Sequence, residues 1–291
     1  MVEQDVYAGA ELVEVRPNRR LCVIVRKAAR EDAPVVFFVH GSMARLSQFK
    51  HQLEYFSRQG ATVVAYDYFG MGRSPKPRGA HHYSTGSHLD DLVGLYARFS
   101  SRSGTNWVVG HSFGCSLTLR LAMTAPSAGL PPPQGLALLG GGVVDTAKRA
   151  KVKRLFRLPL YALRLLHPVL SKGFRNRALH PNTLTSTEAH HVELLKVANA
   201  ANGANPFHVT APFVRAGLPP EEVKGKVTQP VLMIVGEADG LISVDAAKEL
   251  QSTALPHATL EVVRQASHQV MMEQPAAVNA LLHQFVFGHP Q

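Results

Sequence analysis

The sequence predicts an α/β fold, a mostly parallel eight-stranded sheet flanked by helices, with a helical cap inserted between two of its strands. Two observations carry this. Short β-branched or aromatic runs alternate with helical patterns along residues 12–139 and again along 231–287, the signature of βαβ units. Between them, residues 143–225 show helical periodicity and no strand pattern. The chain thus divides into a first core part (1–142), an insertion (143–225) and a second core part (226–291).

The elements follow in order. Residues 12–15 and 21–26, joined by the turn at Pro17-Asn18, make an opening hairpin. Residues 35–40, VVFFVH, are continuously apolar, as a parallel strand buried on both faces requires. A helix over 46–58 places Leu53 and Phe56 inward and closes at Gly60. A strand at 62–66, a helix at 84–99 and a strand at 107–110 come next. A helix over 113–124 stops before Pro126, and a strand spans 136–139. Within the insertion, 146–157 and 187–200 have helical patterns. The alternation then resumes with a strand at 231–235, a helix at 244–252 capped by Ser243, a strand at 260–263 and a helix at 276–287.

Composition narrows the class. With 291 residues, 45% hydrophobic and 18% charged, the chain can build a sizeable ordered core. Only Cys22 and Cys115 are present, in no ligand-like spacing, which argues against a disulfide framework and a cysteine metal site. No segment approaches the ~18 apolar residues that span a bilayer. The first ten residues lack a basic stretch followed by an apolar run, so no secretory leader is expected. An intracellular protein follows as the expectation, cytoplasmic or peripheral on a membrane.

The net charge of +10 is concentrated. Residues 145–177 carry ten Lys or Arg against one acid, whereas the rest of the chain is close to balanced. Lys148, Arg149, Lys151, Lys153, Arg154 and Arg157 interleave with Val152, Leu155 and Phe156, and an apolar stretch from 158 to 170 follows. Such a segment suits an anionic membrane surface, or else forms a solvated cap face whose apolar side packs over the core. Nucleic acid is not an expected partner, because no stacking aromatics or recognition motif accompany the charge.

Chemistry is carried by Gly110-His111-Ser112-Phe113-Gly114, a G-x-S-x-G motif lying directly between an apolar strand and a helix. On such a strained turn the Ser112 hydroxyl stands clear of the sheet. Gly110 and Gly114 allow the strand and helix to approach, and the helix N-terminus offers N–H groups to a developing oxyanion.

From this motif outward the sequence resembles the α/β-hydrolase superfamily over nearly its whole length. His40-Gly41-Ser42 looks like the family's HG turn, which implies Ser42 and Phe113 as backbone oxyanion donors. Residues 67–74, DYFGMGRS, are similar to its structural D-x-x-G-x-G-x-S loop. Gly236-Glu237-Ala238-Asp239 resembles the G-x-x-D that ends the acid-bearing strand. Ser267-His268, with Glu273 and Pro275, resembles the surroundings of the family's histidine. Within the superfamily, VVFFVHG, the glycines at 140–142, Lys172-Gly173-Phe174, Asn205-Pro206-Phe207 and SHQVMMEQP resemble the branch of abhydrolase-domain-containing protein eight.

The resemblance implies a serine hydrolase cleaving a carboxylic ester, an acyl lipid or another apolar ester, without metal or other cofactor. Ser112 is then the nucleophile, His268 the base and Asp239 the orienting acid, in the chain order of this fold. Glu237 and Asp145 stand as alternative acids. Acyl transfer by the same triad, and a non-catalytic scaffold on the same fold, remain as alternatives. His40 and His111 read as structural hydrogen-bonders and Cys115 as inert packing. Asp90-Asp91 reads as a solvated helix face. His81-His82 and His190-His191 lack a further ligand at metal-like spacing.

Overall fold

The computed structural model describes residues 6–142, 154–155, 158–206, 208–210 and 222–288. A hairpin opens the chain, β1 (Glu11–Arg16) and β2 (Arg19–Arg26). It turns at Asn18, whose φ of 60° is a conformation asparagine tolerates well. Next come β3 (Val35–Val39), a 3₁₀ turn (Leu46–Phe49) running into α1 (Lys50–Arg58), β4 (Thr62–Tyr66) and α2 (Thr85–Phe99). The centre of the chain holds β5 (Asn106–His111), α3 (Phe113–Thr124) and β6 (Gly135–Leu139). Then follow α4 (Leu160–Ala178), α5 (Pro181–Thr185) and α6 (Ala189–Ala204), and afterwards β7 (Val231–Gly236), α7 (Val244–Ala254), β8 (Thr259–Val263), α8 (Val270–Glu273) and α9 (Pro275–Phe287).

The strands form one eight-stranded sheet in the order β1-β2-β4-β3-β5-β6-β7-β8. β1–β2 and β2–β4 pair antiparallel and every later pair is parallel. Strand residues split between two apolar layers by their period of two. Val35, Phe37 and Val39 belong to one layer, with Leu92 and Leu95 of α2 and Leu117 and Leu121 of α3. Val36 and Phe38 belong to the other, with Leu53 and Phe56 of α1 and Val278 and Leu282 of α9. All five residues of β3 are buried, the reason its sequence shows no polar alternation.

Serine side chains cap α2 and α7. Ser84 accepts from Ser87 N at 3.0 Å and Ser243 from Ala246 N at 3.2 Å. Gly60, at φ 82°, closes α1.

One sequence expectation changes. Asp91 is not on a solvated face: it is 1% exposed and accepts from Arg16 Nε at 2.8 Å and from Arg19 Nε at 2.8 and 3.0 Å. A buried carboxylate is tolerable because two guanidiniums neutralise it, and the cluster ties the opening hairpin to α2. Asp90 alone faces solvent. The apolar stretch from 158 onward, which the sequence assigned only to the helical insertion as a whole, is helical as α4. Pro159 stands at the N-cap, where a missing N–H is harmless, and Pro168 lies within the helix on an exposed position. The helical pattern at 146–157 and the alternative acid Asp145 lie almost wholly outside the described residues. Among the described residues, no helix is long and apolar enough to cross a membrane.

Candidate active site

The site begins with a backbone conformation. Ser112 joins β5 to α3 at φ 52° and ψ −115°, in the positive-φ region that side chains avoid. The neighbouring glycines explain how it is held. A Cβ on Gly114 would lie 2.1 Å from Val39 O, and one on Gly110 would lie 2.6 Å from Gly114 O. Strand, turn and helix therefore interlock at backbone distance, which only glycine permits. Ser112 N donates to Leu139 O at 2.9 Å and Cys115 N to Ser112 O at 3.0 Å, fixing the turn between β6 and the first turn of α3.

His268 follows β8 and is 2% exposed. Its Nδ1 lies 2.8 Å from Asp239 Oδ2, 29 residues away in the chain. The other oxygen, Oδ1, accepts from Leu241 N and Ile242 N, each at 2.8 Å. Asp239 thus has a satisfied carboxylate at a buried position, so its orientation toward His268 is fixed. Glu237, the alternative acid, is exposed and accepts instead from Gln265 N. Ser112 and His268 border one cleft together with Ser42.

The supporting shell is more extensive than the sequence motifs. His111 Nε2 meets His268 O at 2.8 Å, and the two rings lie 4.8 Å apart. A carbonyl can only accept, so Nε2 carries the proton, and burial holds the His111 imidazole well below its ordinary pKa. His40 is likewise neutral: its Nε2 accepts from Tyr68 N at 3.1 Å, its Nδ1 faces Gly41 O at 2.8 Å, and burial pushes its pKa down to about 3. Both histidines thus serve as hydrogen-bonding struts. Cys115 is fully buried behind the turn, and burial raises its thiol pKa.

The HG turn is pinned from two sides. Gly41 N donates to Gln48 Oε1 at 3.0 Å, and Gln48 Nε2 donates to Gln269 Oε1 at 2.6 Å. Met43, at φ 57°, offers its carbonyl to Asn205 Nδ2 at 2.7 Å. The inserted segment also grips the histidine loop. Glu273 accepts from Ser267 N at 2.7 Å, His180 N at 2.6 Å and Thr183 Oγ1 at 2.8 Å. Backbone bonds from Gly240 N to Arg177 O and from Gln269 N to Ala178 O add to it. Sequence reasoning named neither Gln48 nor Gln269. Neither is a defining position of a motif, and the bond that joins them links residues 221 positions apart.

Apart from Ser112 and His268, the cleft is bordered on its apolar part by Met43, Phe174, Ala178, Leu179, Val197 and Met272, and on its polar part by Ser42, Ser47, Gln48, His111, Gln269, Arg45 and Arg175. Four of these apolar residues come from the inserted helices and the residue just after α4.

Comparison with known proteins agrees with this architecture. Residues 30–275 match the profile of the family described as serine aminopeptidase, S33. Protein ABHD8 of Mus musculus is 31% identical over 272 residues, covering 91% of this chain and 57% of its own length. The human ABHD8 sequence matches equally. The chain therefore spans a little over half the length of these relatives. The AB hydrolase superfamily protein YfhM of Bacillus subtilis is 27% identical over 276 residues, covering 90% of this chain and 93% of its own. The crystal structure of MGS-M2, an α/β-hydrolase enzyme from a deep-sea metagenome library, superposes with a TM-score of 0.79 over 97% of this chain and 98% of its own. At 16% identity that likeness speaks for the fold alone. With this sheet order, this strand–serine–helix turn and a family match over most of its length, the chain belongs to the α/β-hydrolase superfamily, in the family described as serine aminopeptidase, S33, with protein ABHD8 among its relatives.

Proposed function

We propose that the protein is a serine hydrolase that cleaves a carboxylic ester with an apolar acyl group, an acyl lipid or a similar compound, through a Ser112–His268–Asp239 triad and an acyl-enzyme. The observation that carries this reading is the Asp239–His268 hydrogen bond of 2.8 Å at the cleft that Ser112 borders. With Nδ1 committed to Asp239, the Nε2 of His268 is the nitrogen left to take the serine proton. The alkoxide attacks the acyl carbonyl, and the imidazolium that forms is stabilised by the buried carboxylate. Backbone N–H groups of Ser42 and Phe113 are the proposed oxyanion donors, Phe113 as the first residue of α3. One such donor is worth roughly 3 kcal/mol of transition-state stabilisation. His268 then returns its proton to the leaving alcohol, and water repeats the sequence to release the acid. The apolar part of the cleft wall, Met43, Phe174, Leu179, Val197 and Met272, supports an apolar acyl group.

The test pairs a fluorophosphonate probe with a series of esters of increasing acyl length. Covalent labelling of the wild type, absent in Ser112→Ala, together with turnover that rises with acyl length, is the expected result. Equal labelling of both proteins, or none of either, removes the hydrolase reading in favour of a scaffold. Product analysis with a competing alcohol separates hydrolysis from acyl transfer.

A further inference from the structure

We propose that the solvent-facing side of α4 docks the protein on an anionic lipid bilayer. The proposal stands independently of the ester reading. It rests on where an apolar stripe lies and on the charge around it.

An amphipathic helix of a globular protein turns its apolar side inward. α4 is apolar on both sides. Inward, Leu163 and Ala178 are buried, and Phe174 borders the cleft. Outward, Tyr161 is 72% exposed, Leu165 79% and Val169 73%. These three recur every fourth position and form one stripe, extended backward by exposed Leu158 and forward by exposed Lys172. Single exposed apolar residues are unremarkable, but a contiguous stripe of large ones marks a surface that something covers.

The charge selects the occupant. No Asp or Glu occurs between Asp145 and Glu188, whereas ten Lys or Arg fall between 148 and 177. Among the described residues, Arg154, Lys172 and Arg177 are exposed. A second copy of this chain would bring an equally basic segment against the first and repel it. An anionic bilayer complements it: acyl tails accept the leucines and valine, the headgroup zone accepts the Tyr161 ring, and Lys172 reaches back to lipid phosphates. Helix α4, roughly 28 Å long at 1.5 Å per residue, would lie flat in the interface and not cross it. Its opposite side borders the cleft, so a docked molecule holds the cleft mouth within one helix diameter of the lipid.

The experiment measures co-sedimentation of the full chain with phosphatidylcholine vesicles, with and without phosphatidylserine, at low and high salt. Binding that needs phosphatidylserine, weakens with salt and falls at least about tenfold in Leu165→Glu/Val169→Glu is expected. Lys172→Glu should weaken it by a smaller factor while leaving the stripe intact. Equal thermal melting of all variants excludes misfolding as the cause. Running the set in a Ser112→Ala background separates docking from catalysis, since binding must survive there. Equal binding to both vesicle types, no binding to either, or a dimer in gel filtration that the double variant dissolves would each overturn the proposal.

Discussion

Ser112 occupies a backbone conformation that a side chain disfavours by about 1–3 kcal/mol, held in place by Gly110, Gly114 and β6. Replacing it by glycine relieves that strain, whereas alanine keeps it. Ser112→Gly is therefore expected to unfold at a higher denaturant concentration than Ser112→Ala, by about 1 kcal/mol, with both proteins catalytically silent. At the same scale, His111 donates to the backbone of His268 and so sets where the proposed base stands. His111→Phe loses that bond, and a small displacement of a general base lowers the rate by roughly ten- to a hundredfold. The expected result is a lower kcat at nearly unchanged KM, largely restored in His111→Gln, whose amide can donate to the same carbonyl. Equal losses in both variants would remove the positioning role. Asp239→Asn, which favours the wrong imidazole tautomer, should lower kcat by about 10⁴ without unfolding the protein.

Glu273 joins elements more than it serves chemistry. Its carboxylate binds the histidine loop at Ser267, the N-cap residue of α5 at His180, and Thr183 of α5. Removing it orphans three donors at a position that is 2% exposed, each worth about 1–3 kcal/mol when left unsatisfied. Glu273→Ala is expected to lose about 3 kcal/mol or more, read as a fall of several degrees in thermal midpoint, and to loosen the inserted helices from the core. Protease sensitivity rising within residues 158–206 would be its signature. The helices themselves differ in how readily their sequences announce them. α2 and α7 carry serine caps and clear amphipathic periods, so both could be placed from the sequence. α4 could not, because Pro159 and Pro168 read as breaks and because its apolar residues point both ways. Asp91 misled for a related reason: its two arginine partners belong to a hairpin 72 and 75 positions earlier.

Across the whole molecule, buried histidines make stability depend on pH. His40 and His88 are held neutral by burial, with pKa values near 3 against 6.5 unfolded, and His111 is lowered in the same direction. Below pH 6.5 the unfolded chain binds protons at these sites that the folded chain refuses, so stability falls as pH drops from 6.5 toward 3. Each group contributes up to about 1.4 kcal/mol per pH unit within that window. Asp67, whose burial raises its carboxyl pKa, opposes this with a single group. Urea midpoints measured from neutral pH downward should therefore decline steadily. His40→Asn or His88→Asn should flatten the decline even where it lowers the starting value. A flat profile in the wild type would show that the histidines titrate normally.

The strands, most helices and the Ser112, Asp239 and His268 candidates could be named from the sequence alone. Each announces itself within a short window: an apolar run, a cap, or a glycine-flanked serine between strand and helix. Which residues meet across the chain could not be read that way. The choice of Asp239 over Glu237 as partner of His268, the Gln48–Gln269 strut and the grip of Glu273 on the insertion all depend on segments far apart in sequence. The outward stripe of α4 belongs here too, since whether a leucine is covered depends on what packs over it. Local pattern reflects the intrinsic preferences of neighbouring residues, whereas contact and burial arise only when the sheet brings distant segments together, and that step belongs to the tertiary structure.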